Sequence, residues 1–172
     1  EMCIETAFLL AVALTFPLLT LPGAKAANAI NTGQKCSIEF DISGNSSELL
    51  SASIPVNLYK VASVDESGNY TGIGAFSKLD LSSVSADNLD AAAATWAERA
   101  KEAQGKLTDS EGNTVVDPTE TVTLQNGRGY QDKLDTGLYL VDTPKVITTN
   151  YTYTFTPYLC LLYTSDAADD MQ

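Results

Sequence analysis

Residues 54–62 read Ile-Pro-Val-Asn-Leu-Tyr-Lys-Val-Ala, a stretch rich in β-branched, aliphatic and aromatic residues. Apolar residues recur at every second position from Ile54 to Leu58. A period of two is typical of a strand that packs one face against a hydrophobic core. Lys60 has the same parity as Val56, Leu58 and Ala62, so strand geometry predicts that its side chain leaves the strand on the core-facing side.

Further strands are predicted on both sides of this one. Residues 36–42 (CSIEFDI) alternate strictly, and their apolar members are Cys36, Ile38, Phe40 and Ile42. Strands are also predicted at 121–124, 137–141 and 151–156, and turns rich in Gly, Asn, Asp and Ser at 44–47, 65–70, 109–113 and 125–127. About seven short strands separated by such turns are typical of a β-sandwich.

One helix is predicted between the strands, at residues 85–104. Ser85 or Asp87 can cap its start, and Gly105 ends it. Its apolar residues recur at spacings of three and four and form one stripe: Leu89, Ala93, Trp96, Ala100 and Ala103. The predicted fold class is therefore mainly β, a sandwich with one inserted α-helix.

The first 26 residues have the pattern of a secretory signal peptide. An apolar run at 7–19 is followed by the small-x-small site Ala24-Lys25-Ala26, where cleavage is expected. Residues 27–34 are then a linker. Residues 1–6 contain no Lys or Arg, so we expect a truncated or misframed start. Cys3 precedes the apolar run instead of following it, which argues against a lipid anchor.

The other end of the chain has an unusual composition. Residues 160–169, CLLYTSDAAD, resemble the translation of a transposase sequencing adapter. We therefore expect the natural sequence to stop near Leu159 and residues 160–172 to be an artefact. The predicted domain then spans residues 35–159.

Composition excludes several functions. The chain has 22 Asp and Glu against 10 Lys and Arg, a net charge of −12, whereas nucleic acids and anionic membranes need basic surfaces. It has no His, which removes Ser-His-Asp and Cys-His catalysis and the commonest zinc ligand. Cys36 is the only Cys in 27–159, so an internal disulfide is not expected there. We expect no catalytic residues, cofactor or metal.

Three motifs could indicate either a functional site or a structural element. Residues 135–137 read Asp-Thr-Gly, but an aspartic protease needs two carboxylates that share a proton, and a turn is favoured. The acidic loops 65–69 and 109–113 resemble calcium loops without matching the helix-flanked motif, and hairpin turns are favoured. Trp96 is favoured as a core residue over a ligand-stacking one.

Two segments also carry a family resemblance. Residues 54–61 (IPVNLYKV) resemble a strand of the Cna B-type (prealbumin-like) domains of Gram-positive pilins and adhesins. Residues 134–141 match the Leu-x-x-Gly-x-Tyr-x-Val signature of these domains through Leu134, Gly137, Tyr139 and Val141. Residues 153–159 look like the strand that ends the first domain of such pilins. The resemblance covers roughly residues 33–159 and implies an immunoglobulin-like β-sandwich.

The resemblance implies a non-enzymatic subunit of a pilus or wall-anchored adhesin, exported and attached to a Gram-positive cell wall. Its partners would be sortase, other subunits and a host or extracellular-matrix ligand. The sorting signal and the pilin-motif lysine of such proteins are not found in this chain. The family's Lys–Asn isopeptide bond usually starts from the first strand, whose core face has no Lys here, so Lys60 is the remaining candidate; the alternative is a Lys60 that reaches solvent. The rival function is a secreted carbohydrate- or polymer-binding module of a larger extracellular enzyme.

Overall fold

The computed structural model describes residues 29–84 and 93–163. Within these ranges most of the regular structure is β, with two helices and one short 3-10 turn, Gly74–Phe76. The elements in chain order are β1 (Lys35–Asp41), α1 (Ser47–Leu50), β2 (Ile54–Val64), β3 (Tyr70–Gly72), α2 (Ala93–Gln104), β4 (Glu120–Leu124), β5 (Arg128–Asp135), β6 (Gly137–Asp142), β7 (Val146–Ile147), β8 (Thr152–Tyr153) and β9 (Tyr158–Leu162).

The long strand β2 is the centre of the main sheet, in which every pairing is antiparallel. One edge of β2 pairs with β4 and β3, and its other edge pairs with β6. β6 in turn pairs with β9. A second, two-stranded sheet is made of β1 and β5, and a short hairpin is made of β7 and β8. The two strands that carry the sequence motifs, β2 and β6, are thus direct neighbours.

Both faces of the main sheet are covered. Ile54, Val56 and Leu58 pack in a cluster with residues of β1 and β5, whereas Tyr59 and Val61 pack in another cluster with residues of α2 and the 74–84 segment. Five consecutive residues of β6, 137–141, are buried because each of its faces meets a core. The antiparallel sheets are consistent with the predicted β-sandwich.

A bulge in β2 changes one predicted orientation. The pairing of β2 with β6 shifts register between Lys60 and Ala62. An extra residue on one strand reverses the alternation beyond it. Ala62 therefore lies in the α2-side cluster, while Val56 and Leu58 lie in the β1–β5 cluster. The prediction that Ala62 shares a face with Val56 and Leu58 was wrong for this reason.

Two other strand predictions need correction. β5 was not predicted. Lys133 has a φ of 59° and the pairing with β1 shifts register between Cys36 and Ile38, so burial does not follow sequence parity: Tyr130 is exposed and Leu134 is buried. The strand predicted at 151–156 is wrong apart from β8. Pro157, which has no N–H to donate, precedes the next strand, and the chain crosses there to β9, which runs to Leu162.

The helix prediction is confirmed for the residues that the structure describes. α2 covers the second half of the helix predicted at 85–104, and residues 85–92 lie outside the described residues. Ala100 and Ala103 of its stripe are buried and Trp96 is partly buried, while Ala93 is exposed. The signal peptide and its Ala24 and Ala26 also lie outside the described residues. Among the helices of 29–84 and 93–163, none has the length and apolar character needed to cross a membrane.

Candidate functional site

The signature residues meet Lys60 where β5 passes into β6. We call this place the β5–β6 junction and define it as residues 134–139 together with Lys35 and Lys60. Only Thr136 separates the two strands. Since β5 pairs with β1 and β6 pairs with β2 and β9, the chain changes sheets at this residue. The junction therefore connects the two layers of the sandwich-like core.

Thr136 fixes the chain that leads into β1. Its side chain is buried, and the single hydrogen of its hydroxyl group is shared between the backbone oxygens of Gln34 at 3.1 Å and Asn31 at 3.3 Å. The Cys36 sulfur lies 3.7 Å from the same hydroxyl oxygen. A buried hydroxyl needs such partners to offset its lost hydration. The residues just before β1 are thereby held against the junction.

Gly137 is required by a close approach of two chain segments. A Cβ at this position would lie 2.7 Å from the backbone oxygen of Ala62 and 2.7 Å from Lys60 Cε. Both distances are shorter than an ordinary contact of about 3.5–4 Å. The aliphatic part of Lys60 thus occupies the space that a side chain at 137 would fill. This accounts physically for the Gly in the Leu-x-x-Gly-x-Tyr-x-Val pattern.

Tyr139 makes a hydrogen bond across the connection from β5 to β6. Its ring is 1% exposed in the cluster that faces β1 and β5, and its hydroxyl group donates to the backbone oxygen of Asp135 at 3.0 Å. Burial, followed by the nearby charge of Asp135, raises the pKa of Tyr139 to about 12. Leu134 and Val141 are buried in the same cluster. Three of the four signature side chains are therefore core residues.

Asp135 lies between two ammonium groups at the surface of the junction. Lys35 contacts its Oδ1 atom, and Lys60 Nζ lies 3.9 Å from its Oδ2 atom. The hydrogen bond and charge of Lys35, with a smaller contribution from Lys60, lower the pKa of the Asp135 carboxyl. A proton-sharing pair of carboxylates would need the opposite effect, a raised pKa in one partner. The Asp-Thr-Gly motif is used here in a strand-to-strand connection.

The side chain of Lys60 runs outward along the junction. It leaves β2 before the bulge and is 20% exposed, whereas the Asp135 side chain that it meets is 60% exposed. Its stem is buried against Gly137 and its charge pairs at the rim, which matches a lysine that reaches solvent. We therefore favour a Lys60 that reaches solvent over the isopeptide bond that the resemblance implies, which stays untested. Asp135 has the carboxylate nearest to Lys60 Nζ.

The two acidic loops form the same turn twice. Asp65 Oδ1 accepts hydrogen bonds from the backbone N–H groups of Ser67 and Asn69, and Asp109 Oδ1 accepts the corresponding pair from Glu111 and Asn113. Each aspartate's other oxygen accepts from the Asn side chain. These hydrogen bonds lower the pKa of both carboxyls. The prediction of hairpin turns is confirmed at both loops.

Within 29–84 and 93–163 no group of three His, Cys, Asp or Glu side chains could hold a metal ion. Cys36 is a buried residue of the β1–β5 cluster, as expected from its place on the strand. Trp96 packs against the α2-side cluster, and in the part of the chain that is described its Nε1 atom is buried without a hydrogen-bond partner.

Sequence reasoning missed Lys35 as a partner of Asp135. The two residues are 100 positions apart and become neighbours because Lys35 pairs with Asp135 in the β1–β5 ladder. Only the recognition of β5 as a strand would have revealed this. The Lys35–Asp135 pair was therefore missed for the same reason as β5, the register shift between β1 and β5.

Comparison of the chain with protein-family models, with curated proteins and with solved structures gave no match in any of the three.

Proposed function

We propose that this chain is an exported, non-enzymatic structural domain of a Gram-positive pilin-like or adhesin subunit, with an immunoglobulin-like fold of the prealbumin type. In this role the domain carries load and displays a binding surface, and it turns over no substrate. Sortase and neighbouring subunits would act on regions outside the segment 35–159, and a host or matrix ligand would bind its surface.

The observation that carries the proposal is the adjacency of the two motif-bearing strands. β2 pairs with β6 from Asn57↔Asp142 to Ala62↔Leu138 at the centre of the main sheet. The signature positions 134, 137, 139 and 141 each have a packing role at or beside the junction. Both motif segments thus lie in one buried unit, which supports reading them together as one signature.

The proposal is tested on intact cells of the bacterium that carries the gene. An antibody raised against the chain is expected to label the cell surface, and a deletion of the gene is expected to abolish that label. The purified chain is then applied to immobilised matrix proteins and to a panel of polysaccharides. Labelling only after cells are broken open would overturn the proposed location.

One observation favours the rival function, a module that binds a carbohydrate. Tyr151 is exposed near the tip of the β7–β8 hairpin and lies beside Tyr153, with ring centroids 6.0 Å apart and an angle of 59° between the rings. Exposed aromatic rings can stack on sugars, although tilted rings form no flat platform. Saturable binding of the chain to one polysaccharide, lost in Tyr151→Ala, would support this rival.

A further inference from the structure

The two layers of the β core differ in width. The main sheet is four strands wide at β2, with β4 or β3 on one side and β6 and β9 on the other. The covering sheet has only β1 and β5. One edge of β1 pairs with β5, and along its other edge no strand pairs with it within 29–84 and 93–163.

A groove of about 370 Å³ lies along that free edge. Four consecutive residues, 39–42, line it, together with residues 155, 156 and 158 on the opposite side. Residues 39–41 belong to β1 and Ile42 follows it. Successive side chains of a strand point to opposite faces, so residues from both faces line one groove when the backbone edge of the strand faces it. The groove therefore presents the unpaired N–H and C=O groups of β1.

The floor of the groove belongs to the hydrophobic core. It is formed by residues of the β1–β5 cluster that are at most 4% exposed: Ile54 and Val56 of β2, Leu124 of β4 and Val141 of β6. Phe40 and Phe155 border the groove and are only partly buried. An extended segment in the groove could thus place every second side chain against these two rings.

The charges on the outer side of β1 favour one sign of charge in an added strand. Glu39 and Asp41 lie on the outer, exposed side of β1. Asp41 pairs with Arg128 at 3.2 Å, whereas Glu39 has no ion-pair partner in the part of the chain that is described. A neighbouring strand places its residues about 5 Å from those of β1, where opposite charges attract and like charges repel. A Lys or Arg opposite Glu39 would therefore be favoured.

We propose that the free edge of β1 is a strand-addition site. Its occupant is an extended segment of a different polypeptide, with alternating apolar and basic residues. The segment pairs with β1, places its apolar residues against the partly exposed rings of Phe40 and Phe155, and places a basic residue beside Glu39. The covering sheet then has three strands.

Two other occupants fit less well. A second copy that paired through β1 and was centred on Phe40 would place Glu39 opposite the copy's Asp41, and like charges directly opposite are destabilising. The end of this chain, residues 164–172, reads TSDAADDMQ and contains three Asp and no Lys or Arg. Its charge would also be repelled by Glu39. A basic segment of another protein is the occupant that the charges favour.

The experiment uses the full chain and the peptide acetyl-Thr-Val-Lys-Val-Lys-Val-Thr-amide. Calorimetry is expected to show saturable binding with a Kd below about 1 mM, which corresponds to a binding free energy of about −4 kcal/mol or a more favourable value. Two N-methylated forms are compared, one methylated on the Val residues and one on the Lys residues, because the N–H groups of successive residues point to opposite edges of a strand. The form that has lost the donors facing β1 is expected to bind at least about 10-fold more weakly than the other. Hydrogen exchange is expected to slow at the β1 amides that β5 does not bind.

Charge variants test the position of the basic residue. Glu39→Lys is expected to weaken binding of the Lys peptide about 5-fold and to strengthen binding of a matched Glu peptide, since a cross-strand charge pair has an effect of that size. Glu111→Lys makes the same charge change in the turn at 109–113, away from β1, and should leave both affinities unchanged.

Four results would overturn the proposal. They are no saturable binding by the Lys peptide, equal binding by both of its N-methylated forms, protection at β9 or β3 in place of β1, and dimerisation of the chain through β1 before any peptide is added. The N-methyl comparison is made on the unaltered protein, so it decides the matter even if Glu39→Lys fails to fold.

Discussion

Gly137→Ala is the substitution that most directly probes the packing of the β5–β6 junction. The new methyl group would lie 2.7 Å from the backbone oxygen of Ala62 and 2.7 Å from Lys60 Cε. The lysine stem can move aside, but the oxygen belongs to β2, whose residues on both sides of the bulge pair with β6. The main sheet must therefore open slightly at its most buried strand pair.

The expected cost follows from these contacts. Forcing a methyl group into a packed site costs about 1–3 kcal/mol, and a backbone neighbour favours the upper end of that range. Gly137 also has a φ of 158°, which Ala adopts only with strain, and this strain cancels the gain of up to about 1 kcal/mol from restricting the unfolded chain. We expect the free energy of unfolding to fall by about 2 kcal/mol. With a slope of about 2 kcal/mol/M, the urea midpoint falls by about 1 M.

Two further variants separate the causes. Gly44→Ala is the matched control, because a Cβ there meets no atom within 4 Å, and its stability should change by no more than about 0.5 kcal/mol. Lys60→Ala added to Gly137→Ala should restore little, since the contact with the Ala62 oxygen remains. An unfolding curve of Gly137→Ala that overlays the unaltered protein would refute the packing account, and full rescue by Lys60→Ala would refute the role of the Ala62 oxygen.

Three more predictions concern the junction and the turns. Tyr139→Phe removes the hydrogen bond to the Asp135 oxygen and should lower the free energy of unfolding, measured in urea, by about 1 kcal/mol. The pKa of Tyr139 is raised to about 12, so the stability that the neutral hydroxyl contributes is fully present below pH ~10 and is lost as the pH rises to 12. The loss of stability at alkaline pH should therefore be smaller in the variant. The pKa values of Asp65 and Asp109 are lowered from 3.8, so the stability that the two carboxylates contribute is present above that pH and is lost as the pH falls through their folded pKa values. A double variant, Asp65→Asn with Asp109→Asn, should therefore lose less stability in acid than the unaltered protein. An identical acid dependence of the two proteins would contradict the turn account. Lys60 forms an ion pair with Asp135, so the intact mass of the folded chain should equal the mass of its sequence, and a mass lower by one ammonia or one water would instead reveal a cross-link.

The strands with a regular pattern could be predicted from the sequence. β2 and β6 are rich in β-branched, aliphatic and aromatic residues, and β1 alternates strictly, because their side chains pack against continuous cores. β5 could not be predicted, since Gly129 packs against Leu124 and Val122 where a larger residue would be expected, and the positive φ of Lys133 breaks the alternation.

The candidate site was predictable only in part. Leu134, Gly137, Tyr139 and Val141 were found through the signature, and Lys60 through its parity with Val56 and Leu58. The ion pair of Asp135 with Lys35 and the groove along β1 depend on which strands become neighbours. A local pattern contains no information on pairing between residues 100 positions apart, so these features needed the fold.

The central claim, a structural subunit attached to a Gram-positive cell wall, is tested most directly on the wall itself. Walls of the bacterium that carries the gene are digested with a muramidase, boiled in detergent, separated by size and probed with an antibody to this chain. We predict a covalent high-mass series that is lost when the sortase gene is deleted. A single species at the mass of the free protein, unchanged by the sortase deletion or found only in the culture medium, would contradict the claim.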